Sequence, residues 1–148
     1  MSQNPSSSYT TALTQGVLAV PLSQTLGLSL VSQTSSPQPE ALLTLTTTPL
    51  HLIPNAQTLH GGISTLLIDT ACYIALIPTL SEGQTAATIA SSFQILDAVR
   101  GVGKVYEIEG RVVRMGRKVV FCEGSVKCEG RIVARGNVTK VVKGGSRF

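Results

Sequence analysis

Residues Asn55 to Ala75 read NAQTLHGGISTLLIDTACYIA, and this stretch decides the fold. Leu66, Leu67, Thr70 and Ile74 recur at helical spacing, Ile77 continues the stripe, and Pro78 ends it, so a long helix opens at Gly61 and Gly62. Its residues are apolar nearly all round, which predicts burial. A single acid, Asp69, stands in the middle. A carboxylate in such a setting is costly, so it either caps nearby backbone, faces a water pocket, or is kept for chemistry.

On the amino-terminal side, Leu13, Val17, Leu18 and Leu22 are spaced helically between Tyr9 and Leu26, with Pro21 splitting the run and Gly27 suited to a C-cap. LSLVSQ (28–33) and EALLTLTTT (40–48) then read as two strands around the turn TSSPQP. Beyond the long helix, four runs are β in character: TAATIASSFQI (85–95), KVYEIEGRVVRM (104–115), RKVVFCEGSVKC (117–128) and RIVARGNVTKVV (131–142). In the last, Ile132, Ala134, Val138 and Val142 alternate with Arg131, Arg135, Asn137 and Thr139, the pattern of one buried and one wetter face. The class is therefore α+β: short helix, two strands, one long buried helix, four strands. An antiparallel sheet of about six strands hides an apolar helix only by curling round it, and what it leaves bare must be covered by another chain. One domain is expected over 9–143, with a frayed Ser-rich tail at 1–8 and a second tail at 144–148.

The 148 residues, 43% hydrophobic and 14% charged, suit one globular domain with a full core. No run reaches the ~18 uninterrupted apolar residues of a spanning helix, so no membrane partner is expected. All 12 Lys and Arg lie from Arg100 onward, giving that segment +8 against −4 for the rest. Such a cluster suits the phosphates of a small molecule; only Tyr106, Phe121 and Phe148 are aromatic there and no nucleic-acid motif accompanies them, so nucleic acid is not an expected partner. The plainer alternative is alternating charge on the solvent side of strands.

Cys72, Cys122 and Cys128 lack CxxC spacing and read as reduced structural thiols of a cytoplasmic protein. The base-free amino terminus argues against a secretory signal or an organelle presequence, and the final SRF only weakly resembles a peroxisomal tail. His51 and His60, on separate loops without paired acids, make a poor metal set, so no metal is expected.

Asn55, then His60, Gly61 and Gly62, then Asp69 seven residues beyond the second glycine, form a pattern that resembles the hotdog-fold acyl-CoA thioesterases of the phenylacetic-acid (PaaI) type. RVVRMGRKVVFCEGSV (111–126) and GRIVARGNVTKVV (130–142) resemble that family's last strands, and the likeness spans about Leu22 to Val142. The resemblance implies a hotdog fold, a curved sheet wrapped round one helix, in a homodimer or homotetramer. It implies a thioesterase acting on an acyl-CoA or on an acyl group held by a carrier protein, with no cofactor beyond the coenzyme A of the substrate.

By that resemblance Asp69 is the catalytic carboxylate, as general base or nucleophile. Gly61 supplies a backbone N–H to the thioester oxygen, Asn55 places the carbonyl or the water, and His60 shapes the loop. A third-strand hydroxyl completes the site. Thr88 is chosen over Ser91, while Ala87 falls at the same position if no gap is allowed. Arg114, Arg117 and Lys118, in the turn RVVRMGRK, are candidates for the coenzyme A phosphates, or else belong to an ordinary charged hairpin.

Thioester hydrolysis passes through a tetrahedral oxyanion, and helix-opening N–H groups are preorganised donors for it. Asp69 lies eight residues past Gly61, roughly 12 Å along one helix, so the two cannot serve the same carbon within one chain. Two antiparallel helices across a twofold axis bring them together. A hydratase of the same fold would use an Asp and a following His on one helix, and no histidine follows Asp69. A binding module that holds acyl-CoA without catalysis is the remaining alternative.

Overall fold

The computed structural model describes residues 6–145. Helix α1 spans Ser6–Ala19 and α2 Pro21–Leu26, divided at Pro21 and closed by Gly27 at φ +73°, a left-handed conformation that glycine adopts without strain. Strands β1 (Ser29–Thr34) and β2 (Glu40–Thr46) form the first hairpin. Helix α3 runs Gly61–Leu76 and tightens into a 3-10 turn, Ile77–Thr79, at Pro78. Strands β3 (Gln84–Ile95), β4 (Val105–Met115), β5 (Val119–Cys128) and β6 (Arg131–Gly144) follow.

The six strands make one antiparallel sheet in the order β1-β2-β4-β5-β6-β3, and α3 touches all six. This is the hotdog architecture expected from the sequence: alternating inward residues of the sheet, among them Leu43, Leu45, Tyr106, Ile108, Val120, Val126 and Val138, close over Leu67, Ile68, Ala71 and Cys72 of the helix. With the 3-10 turn, α3 has the length and hydropathy of a membrane span (19 residues, mean hydropathy 1.4), but half of that span is buried, against the protein's own sheet and α1.

Three glycines in register let helix and sheet approach: Gly110 pairs with Gly124, which pairs with Gly136. A Cβ on Gly110 would lie 2.4 Å from the backbone carbonyl of Ala71, and one on Gly124 would lie 3.0 Å from the Ile68 side chain. Over Gly136 it is the ring of Phe93 that occupies the place, 2.4 Å from where a Cβ would be.

Three expectations are corrected. Helix α1 begins at Ser6, inside the stretch read as a tail: the helical stripe extends back to Tyr9, whose phenol donates to the Gln84 carbonyl at 2.5 Å. Gly144 likewise ends β6 rather than opening a tail, and the remaining tail residues, 1–5 and 146–148, lie outside the described residues. Ile132 is 45% exposed while Val133 is buried. A bulge between Val126 and Lys127 in the β5–β6 register inserts one residue in β6, and the side-chain phase flips before Ala134.

The helix is not covered on every side by its own chain. Ile63, Thr65, Leu66, Asp69, Thr70 and Tyr73 remain only half-buried. Beyond them lies β3, a long edge strand bonded on one side to β6 and carrying exposed Ile89 and Ile95.

Candidate active site

The loop before α3 is held by the Leu52–Leu59 and Thr58–Arg100 bridges. Within it His51, expected as a loop residue without chemistry, is 2% exposed and structural. Its Nδ1 accepts the Thr48 N–H at 2.9 Å, so Nε2 carries the proton donated to the Leu26 carbonyl at 2.8 Å. Asn55 is exposed in the turn that follows.

His60 is the N-cap of α3; of the four N–H groups that a helix start leaves open it satisfies those of Gly62 and Ile63, and its own goes to the His51 carbonyl at 2.9 Å. Its Nδ1 accepts from Gly62 at 3.0 Å, and its carbonyl accepts from Ile63 at 2.9 Å and Ser64 at 3.2 Å. The fourth, the N–H of Gly61, has no partner among the described residues. A Cβ at Gly61 would meet only Ile95, at 3.7 Å, an ordinary contact. Nothing inside the chain therefore requires glycine there, whereas close approach of another molecule to the backbone would.

Two turns further, Asp69 meets side chains from two strands. The Thr88 hydroxyl of β3 donates to Asp69 Oδ1 at 2.6 Å, and Lys140 of β6 places Nζ 3.1 Å from the same oxygen and 2.7 Å from Thr88 Oγ1. Thr88 and Lys140 are register partners, so the sheet delivers both together. Of the three third-strand candidates, it is Thr88 that reaches the carboxylate. Lys140 is 3% exposed at its side chain and Asp69 36%, so the cation is sealed and the anion still opens outward. The Tyr73 ring, one turn after Asp69, lies 5.3 Å from the ammonium, within cation–π reach. Burial raises the Tyr73 phenol above its ordinary range. Beneath them the Cys72 thiol, hydrogen-bonded to Cys122 and buried, is pushed far up and stays protonated.

The chain thus brings Asp69 and Thr88 together and leaves Asn55, His60 and Gly61 at the far end of α3. Arg114, Arg117 and Lys118 are exposed around the β4–β5 hairpin and make no ion pair among the described residues. The β5 arm sets Val120 opposite Lys140, which puts this hairpin just beyond the Asp69 pair along the sheet. Lys140 is one of twelve bases that the sequence suggests are solvent-facing or phosphate-facing, and the structure buries it. Its signal is parity, for it shares a face with Ala134, Val138 and Val142, the apolar set.

Residues 56–141 match the profile of the thioesterase superfamily. Among solved structures, the chain is similar to a thioesterase from Haemophilus influenzae, at 20% identity over 89% of this chain and 88% of that one, TM-score 0.78. It is similar to the E. coli PaaI protein from the phenylacetic acid degradation operon, at 21% identity over 94% of each chain, TM-score 0.78. A Streptococcus mutans protein bound to acetyl CoA shares 24% identity over 82% of this chain and 92% of its own, TM-score 0.70. No curated protein matches the sequence.

Proposed function

Since the chain belongs to the thioesterase superfamily, we propose that it hydrolyses an acyl-CoA thioester at two equivalent sites formed between two copies of itself. Asp69 of one copy takes a proton from water, and that water attacks the thioester carbon. The oxyanion forms against the Gly61 N–H of the partner subunit and collapses with expulsion of the coenzyme A thiolate. Asn55 positions the carbonyl or the water, and His60, by drawing the neighbouring N–H groups to itself, aims the Gly61 donor outward. Arg114, Arg117 and Lys118 meet the coenzyme A phosphates.

The observation that carries this reading is the separation of two complementary groups on one helix. Gly61 holds the one unpartnered N–H of the helix start, and Asp69 holds a carboxylate open to solvent. They stand about 12 Å apart along the axis. The half-buried stripe of α3 and the unpaired edge of β3 supply the surface on which a second copy would close that distance. The Streptococcus mutans protein's bound acetyl CoA is consistent with a coenzyme A ester as substrate.

Thiol release from a panel of acyl-CoAs tests this, with the protein's own three cysteines blanked. Asp69→Ala is expected to lose about a hundredfold or more in turnover while sedimentation still shows the wild-type assembly. Equal turnover in the two would remove Asp69 from the mechanism, and none in either would instead support a module that holds acyl-CoA without hydrolysing it.

A further inference from the structure

Lys140 is charged, sealed from solvent, and set in a strand whose other inward positions, Ala134, Gly136, Val138 and Val142, are apolar or glycine. A hydrophobic residue there would close the core at less cost, because taking an ammonium out of water is unfavourable unless its partners compensate. Its partners are specific. Facing Lys140 are Asp69, Tyr73 and Cys72 from α3, Thr88 from β3 and Cys122 from β5. Of these Asp69 alone is a carboxylate, and it is the group ion-paired with the ammonium at 3.1 Å.

The direction of every proton in the triangle follows from chemistry. An ammonium only donates, so Thr88 Oγ1 accepts from Lys140; its own hydrogen is then free for the carboxylate, which only accepts. Asp69 Oδ1 receives both donors, from Thr88 and from Lys140, and Oδ2 receives none among the described residues.

We infer that Lys140 is a positioning residue for Asp69: it locks the carboxylate through Oδ1, leaves Oδ2 as the single reacting oxygen, and balances its charge. This rests on the proposed role of Asp69 as base. The charge balance matters because an oxyanion must develop close to that carboxylate, and a neutral pair repels it far less than a bare anion would. Thr88 completes the lock by relaying the ammonium's donor to the same oxygen. Lys140 acts through Asp69 and has no separate contact with the reacting carbon.

The test measures kcat and KM for thiol release with the wild type, Asp69→Asn, Lys140→Gln, Lys140→Arg and the Asp69→Asn/Lys140→Gln double variant. Gln keeps a hydrogen-bond donor and the double variant leaves no unpaired charge, so a folding failure of one protein does not stop the comparison; circular dichroism checks each. Lys140→Gln is expected to lose about tenfold to a hundredfold in kcat with KM within about threefold. Lys140→Arg should recover most of that, and in the Asp69→Asn background Lys140→Gln should change nothing further. A wild-type kcat in Lys140→Gln overturns the inference. So does a loss carried by KM, an Arg variant no better than Gln, or a full second loss in the double variant. Wild-type turnover in Asp69→Asn, or none in any protein, is distinct from these: it overturns the reading of Asp69 and this inference with it.

Discussion

The two faces of the curled sheet treat neighbouring residues oppositely. On the inner face Gly110, Gly124 and Lys140 sit where one added atom or one lost charge has no room to be absorbed. One position away on the outer face, Arg111 pairs with Glu123, and Lys127 lies 3.4 Å from Glu109, in ion pairs exposed by a third or more at every side chain. Water screens the outer pairs and long side chains spend entropy to hold them, so such pairs contribute little. The inner pair is limited by geometry instead, since its partners come from three different elements. Adjacent residues on one strand thus differ more in consequence than residues far apart on one face.

The largest effect is expected of Gly110→Ala on the inner face. Its methyl would overlap the Ala71 backbone, which cannot rotate aside, so a loss of about 3 kcal/mol is expected in a urea melt. A neutral result would mean that α3 lifts easily from the sheet.

Tyr106, also inward and 1% exposed, gives a smaller and pH-dependent effect. Its hydroxyl donates to the Val99 carbonyl at 3.2 Å, and Tyr106→Phe should cost about 1 kcal/mol at neutral pH. Burial first, with the Cys128 neighbourhood second, pushes the phenol up to about 12 from an ordinary value of 10.0. The folded state therefore holds this proton more tightly than the unfolded one. The corresponding stability is whole below pH 10, and it is lost as pH rises through about 12. Melts across that window should fall less steeply for Tyr106→Phe than for wild type.

At the small end, Glu123→Gln on the outer face should shift stability by no more than about 0.5 kcal/mol. A larger shift would show that the outer pairs act as a network.

Much of this was legible in the sequence because it is local. Gly61, Gly62 and Pro78 bracket α3, Pro21 and Gly27 divide and close the first helices, and alternation marks each strand. The pattern from Asn55 to Asp69 pointed to the family, and Thr88 was the hydroxyl selected. What was not legible is long-range. No local rule says that β3 crosses to the far edge beside β6, which is what sets Thr88 against Lys140. The bulge at Val133 that turns Ile132 outward is a property of two strands together. Lys140 carried the parity of a buried residue and the charge of an exposed one, and charge was the misleading guide.

The glycine row also governs where the chain can change length. Gly110, Gly124 and Gly136 stay aligned only while the two connecting hairpins keep their registers. A residue inserted at Gly116 or Gly130 must be looped out inside the turn. If it spread into the strands by one position, Glu123 would come to lie under α3, or Arg135 under the Phe93 ring. Variation in length is therefore closed off at these two hairpins.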